Sequence, residues 1–181
     1  KKTMKRIVRL FVVGSLLAGL LPSAVVAGVD KKLEKEALAA VEAFKTADSG
    51  MGNLFENATG YAIFPTVGKG GFVVGGARGK GLVYERRKLV GEAAMTQVTV
   101  GAQVGGQGFS EVIFFQNQNA LDRFKESKFA MTAQVTAVAA AEGVSRDAKY
   151  VDGVLVFTRA KQGLMAEASV GGQKFKYTPL K

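Results

Sequence analysis

The chain has 181 residues, a formal net charge of +10, 23 glycines, and neither cysteine nor histidine. Those two absences exclude Ser-His-Asp and Cys-His triads, thiolate chemistry and any Cys/His zinc site. They leave carboxylate, lysine or Ser-Lys chemistry to any enzyme, and they leave the fold without disulfides.

Residues 1–27 read as an export signal. Lys1, Lys2, Lys5, Arg6 and Arg9 give a positive start, Leu10 to Leu21 is apolar or small throughout, and Pro22 and Ser23 break the run. Val25-Val26-Ala27 offers small residues at a cleavage site, so cleavage is expected after Ala27, leaving one domain over 28–181. The stretch to Val29 is just long enough to serve as an uncleaved anchor, which Pro22 and the small residues after it argue against. Position 20 is Leu, so no thiol is present for a lipid anchor. Loss of the leader removes five basic residues and no acid, lowering the net charge from +10 to +5. That excess suits an anionic membrane surface and is weak evidence for nucleic acid, which is not expected as a partner. The expected location is exported, periplasmic or envelope-associated.

Asp30 is placed to cap a helix running to about Ala47, with Leu33, Ala37, Val41, Phe44 and Ala47 at helical spacing. Lys31, Lys32 and Lys35 fall outside that stripe. The helix either lies on the core or contacts a membrane as an amphipathic helix. Met51 to Ala58 reads as a second short helix. Tyr61 to Phe64 is a β-like run ended by Pro65. Strands are expected over Gly71–Gly79, Gly81–Glu85 and Thr96–Val104, with Arg86-Arg87-Lys88 as a polar tip. Val112 to Phe115 is an apolar strand, and Asn117 caps a short helix with Ala120, Leu121 and Phe124 inward. Phe129–Ala141 has alanine content that suits a helix, but its alternation suits a strand, and the strand is preferred. Gly153–Arg159, Leu164–Val170 and Lys174–Tyr177 close the chain as strands. The sum is an α+β domain: an N-terminal helix, one short inserted helix and a large, mostly antiparallel sheet, curved or closed into a barrel.

The segment GKGGFVVGGARGKG, residues 68–81, fails as a phosphate loop. Around Gly79-Lys80 the first glycine of a P-loop is Val74, and its Ser/Thr is Gly81. A dinucleotide turn fails as well, with Val73 and Tyr84 in place of its third glycine. As a strand, it puts Ala77, Gly79, Gly81 and Val83 on one nearly bare face and Arg78, Lys80, Leu82 and Tyr84 on the other. Each glycine in a strand costs about 0.5–1 kcal/mol against alanine, so several together imply tight curvature or close backbone contact. Lys69, Arg78, Lys80, Arg86, Arg87 and Lys88 then form a candidate basic surface for lipid headgroups; the bland alternative is ordinary solvated lysines and arginines.

The same residues resemble a known family. Gly60-Tyr61-Ala62-Ile63-Phe64-Pro65, Val67 to Phe72 and Gly75 to Gly81 are similar to the core of the SYLF domain, a lipid-binding module. Gly101-Ala102-Gln103-Val104-Gly105-Gly106-Gln107 resembles its G-x-Q-x-G-x-Q strand. Ala120-Leu121-Asp122 with Lys128-Phe129, Ser145-Arg146-Asp147-Ala148, and Val154 to Arg159 with Lys161 to Leu164 resemble its later segments. Gly108-Phe109 before Ser110-Glu111 departs from it. The resemblance runs from about Asp30 to Tyr177. It implies binding of phosphoinositide or acidic lipid through basic residues and an N-terminal amphipathic helix. Eukaryotic relatives add SH3 or FYVE modules and include actin binders. None of those modules stands beside this domain, so an actin partner is not expected and anionic envelope phospholipids are.

The function expected is therefore non-catalytic binding of anionic headgroups, without a cofactor or metal. The alternative is a structural or scaffolding envelope protein with a protein partner. A third class, an enzyme, would draw on Glu56, Glu85, Glu92, Glu111, Asp147 or Asp152, or on Ser145-Arg146-Asp147 at a turn. No spacing pairs two of these carboxylates.

Overall fold

The computed structural model of the chain describes residues 28–71, 74–100, 107–127, 137–161 and 172–180, with only the backbone for 69–71, 74–75, 99–100 and 107. The expected leader, most of the Phe129–Ala141 segment and the Leu164–Val170 strand lie outside the described residues. Helix α1 (Lys31–Ala47) starts at Asp30, whose carboxylate accepts from the Lys32 amide at 2.9 Å. It buries Leu33, Ala37, Ala40, Val41 and Phe44, the stripe that its spacing marks out. Helix α2 (Met51–Asn57) follows after a corner held by Asp48. Asp48 is buried and accepts from the amides of Ser145 and Gly50 and from the Ser145 hydroxyl at 2.7–2.9 Å. Burial works against its charge, but these donors hold its carboxyl below the usual range. Ser145 opens the helical turn α4 (Val144–Asp147) one residue in, so the Ser-Arg-Asp stretch pins the α1–α2 corner.

Seven strands form one open sheet in the order β5-β6-β4-β1-β2-β3-β7. They are β1 (Gly60–Gly71), β2 (Val74–Glu85), β3 (Lys88–Val100), β4 (Gln107–Phe115), β5 (Ala137–Ala139), β6 (Val154–Ala160) and β7 (Lys174–Pro179). All ladders are antiparallel except β5 with β6, which is parallel. Pro65 does not end β1. Both its ladders shift register there, and a bulge accommodates the missing N–H. Its carbonyl accepts from the Ser110 hydroxyl at 2.9 Å. The two glycine-rich strands expected on either side of residue 80 are one continuous β2.

The sheet curls. Phe64 of β1 and Phe175 of β7 lie three strands apart in the order, about 14 Å in a flat sheet, yet their rings are 5.7 Å apart. The concave face holds Phe64, Met95, Ile113, Phe115 and Phe175. Helix α3 (Gln118–Lys125), capped by Asn117, inserts Leu121 and Phe124 among them. The convex face carries Ile63, Leu82, Val112, Phe114 and Phe157, covered by α1 and α2. No helix of the described residues is long and apolar enough to cross a membrane.

Glycine makes the curl possible where a side chain would collide. A Cβ at Gly81 would lie 2.5 Å from the Ile63 carbonyl and 2.6 Å from the Phe64 ring. At Gly91 it would run into the Tyr177 ring. At the far end of β2 the two-residue turn Arg86-Arg87 has φ of 47° and 66°, a type I′ geometry that usually takes Asn-Gly.

Three substitutions test this through stability. Gly81→Ala should lower unfolding free energy by about 1–3 kcal/mol in a denaturant titration, whereas Gly68→Ala, with nothing within 4 Å, should be neutral or slightly stabilising. Replacing Arg86-Arg87 by Asn-Gly should stabilise by about 1 kcal/mol, through relief of the left-handed backbone; a loss instead would show that the arginine side chains anchor the turn.

Candidate functional site

On β2, Ala77, Gly81 and Val83 point into the concave core, so Arg78 and Lys80 take the convex face, as the alternation requires. Leu82 and Tyr84 share that face but lie under α1 and α2. The convex face therefore has two halves. One is apolar and covered by helices; the other is open and basic.

The open half is assembled by register. Lys80 pairs with Ala94 and Ala94 with Lys176; Arg78 pairs with Thr96 and Thr96 with Lys174. Two cross-strand rows result, Lys80-Ala94-Lys176 and Arg78-Thr96-Lys174, with every member exposed. On β7, Phe175 is buried and Tyr177 half-buried toward the core, which leaves Lys174 and Lys176 on the outside. Neighbouring strands are about 4.8 Å apart and alternate residues about 6.7 Å apart, so four cations occupy a patch of about 10 by 7 Å. The middle positions are small. On the β1 side Gly68 stands beside Arg78 and Gly108, and the Lys161 ammonium reaches the Thr66 hydroxyl. Val98, 74% exposed, extends the face on β3.

Helix α1 borders this platform at its N-terminus. A cleft of about 200 Å³ is lined by Asp30, Lys32, Leu33, Glu36, Pro65, Thr66, Lys80 and Glu92. Its acids offset part of the charge of Lys80 and Lys32, and Lys32 reaches Glu36 at 3.9 Å. Among the described residues no ion pair within 4 Å involves Arg78, Lys80, Lys161, Lys174 or Lys176.

The sequence-derived candidates thus separate. Arg78 and Lys80 lie in the platform, with Lys31, Lys32 and Lys35 on the adjoining first turns of α1. Arg86, Arg87 and Lys88 do not join them. They sit at the other end of β2, six residues or about 20 Å from Lys80, more than two Debye lengths at physiological salt. That tip borders a cleft of about 490 Å³ with Glu56, Asn57, Thr59 and Gln116. Glu85, just before it, is tied up by Lys125 and Gln118, which hold its carboxyl below the usual range. Lys69 stands at a ladder position opposite the buried Ala77, one step out of the Arg78 row; its side chain lies outside the described residues. The apolar stripe of α1 packs on the sheet, and Leu38 is the large apolar side chain that the helix exposes.

Lys174 and Lys176 were not among the candidates. Their alternation with Phe175 and Tyr177 is visible in the sequence; their pairing with a strand some 80 residues earlier is not. Among the enzymatic candidates, Glu111 is buried in the concave core, Glu85 is at the hairpin base, and the Ser145 hydroxyl is bound to Asp48. Among the described residues no three acids gather where they could hold a metal.

Comparison with known proteins places this geometry. Residues 96–178 match the family model described as "Ysc84: Las17-binding protein actin regulator". The match runs from the last residues of β3 to β7, including the lysines of β7, and excludes the glycine-rich β1 and β2. A curated relative, Beta cell expansion factor A of Aeromonas veronii, is 29% identical over 124 residues, which are 67% of this chain and 47% of the relative. The chain spans about half the length of that relative. Over residues 96–178 the chain is thus similar to the Ysc84 family, in line with the SYLF resemblance of its motifs.

Proposed function

We propose that the open half of the convex face binds an anionic phospholipid surface and catalyses no reaction there. The observation that carries this reading is the pair of cross-strand rows that set Arg78, Lys80, Lys174 and Lys176 on one small-residue surface. A basic residue near an anionic bilayer contributes about 1 kcal/mol, so the four supply about 4 kcal/mol before Lys161 and the α1 lysines add theirs. Ala94, Thr96 and Gly68 between them let the charged heads reach one plane without a bulky neighbour.

The similarity of residues 96–178 to the Ysc84 family model, and the resemblance of the motifs to the lipid-binding SYLF domain, support the same reading. The apolar stripe of α1 is used up in the core, so contact through this face is electrostatic and falls with salt. The leader-like residues 1–27 favour an envelope membrane as the surface met. Simple anionic phospholipids satisfy the platform as well as phosphoinositides do, since four cations on a shallow face recognise charge density rather than one headgroup shape.

Co-sedimentation with phosphatidylglycerol vesicles tests this. Binding should be absent on phosphatidylcholine, and it should weaken as salt rises. Lys174→Glu with Lys176→Glu should reduce affinity by about tenfold or more, while Arg86→Glu with Arg87→Glu should change it little. Loss only in the hairpin-tip variant would move the site to the tip.

A further inference from the structure

Strand β7 supplies half of the platform, yet it is an edge strand paired only with β3. Its other ties cross the concavity. Phe175 packs on Phe64 and Phe124, the Tyr177 amide donates to the Ser127 hydroxyl, and the Tyr177 hydroxyl donates to the Val90 carbonyl. The residue leading into β7, Gln173, donates from Nε2 to Glu111 Oε2 of β4 at 2.9 Å. β4 and β7 are four strands apart in the order, about 19 Å in a flat sheet, so this bond closes the curl.

The bond is also under-satisfied. Glu111 and Gln173 are both fully buried, and Glu111 Oε1, Gln173 Oε1 and Thr158 Oγ1 have no hydrogen-bond partner among the described residues. Phe64 of β1 and Thr158 of β6 stand directly opposite Glu111. The buried cluster around them is apolar, from Ala62, Phe64 and Val67 of β1 to Leu121 and Phe124 of α3, with Gln97 of β3 opposite Ala77. Of the described residues packed against that cluster, Tyr177 of β7 is titratable, and burial raises its hydroxyl above the ordinary value of 10, clear of the carboxylate range. Arg159 and Lys174, next in sequence to Thr158 and Gln173, are exposed on the other face.

We propose that Glu111 and Gln173 form a proton-dependent latch that holds β7, and with it Lys174 and Lys176, in the platform. The lipid part of this inference rests on the function proposed above. Protonated, Glu111 is a neutral acid suited to a dry interior. Ionised, it is a buried charge with one hydrogen bond, and lifting the start of β7 lets water reach it. Burial pushes its carboxyl up to about 7, against the weaker opposing pull of the Gln173 amide; the ordinary value, 4.5, returns once the latch opens. The proton is bound in the latched state. Latching is therefore complete below about 4.5, and it weakens as pH rises through about 7. The chain has no histidine to titrate in that window.

The experiment compares pH 5 with pH 8 on the full chain, using amide exchange of residues 174–178 corrected for intrinsic rates. It adds co-sedimentation with phosphatidylglycerol vesicles, whose phosphodiester stays charged at both values. The wild type should protect β7 better at pH 5 and bind several-fold tighter there. Glu111→Gln, and Glu111→Met where the amide does not fit, should abolish both differences. Equal β7 protection at both pH values, or the same pH dependence in both variants, would overturn the latch. Exchange that shifts with Glu111 while vesicles bind at neither pH would uphold the latch and sink the lipid reading.

Discussion

Where β1 runs beside β2, the Ile63 carbonyl and the Phe64 ring occupy the space that a side chain at position 81 would need. That close approach turns Phe64 into the concavity, where it meets Phe175 from the far edge of the sheet. The curl, the two-sided burial and the closing bond between Glu111 and Gln173 all depend on it. Glycine in β2 is thus a steric requirement of the inner face. It is not a phosphate-binding device, and the conformational cost of each glycine is offset by the aromatic core it admits.

The same strand has a second consequence on its outer face. A strand bare on one side can still carry full-length cations on the other, and β2 does so at Arg78 and Lys80. β3 contributes small or short side chains at the facing positions, and β7 contributes lysines beyond them. Charge is thereby gathered from strands that are remote in sequence, on the half of the face that α1 leaves open. The hairpin tip, equally basic along the chain, lies about 20 Å away and belongs to another surface. Linear clustering of lysine and arginine was a poor guide to clustering in space, because strands carry side chains alternately to opposite faces and the sheet order is not the chain order.

Much of the fold was legible. The α1 stripe, the Asp30 and Asn117 caps, and the inward set Ala77, Gly81 and Val83 follow from period and side-chain size alone. Pro65 misled, because a proline is tolerated within a strand at a bulge. The parallel β5–β6 pairing and the β3–β7 ladder are non-local, and no local propensity encodes them. Half of the candidate site was visible as Arg78 and Lys80; Lys174 and Lys176 became visible only with the register. Glu111 looked like one acid among several, and only its burial opposite Thr158 and beside Gln173 sets it apart.

Paramagnetic broadening of backbone amides by headgroup-spin-labelled phosphatidylglycerol in bicelles tests most directly whether these rows meet lipid. Broadening should centre on Arg78, Lys80, Ala94, Thr96, Lys174 and Lys176, and it should fade with salt. Broadening centred instead on Arg86 to Lys88, or spread evenly over the surface, would contradict it.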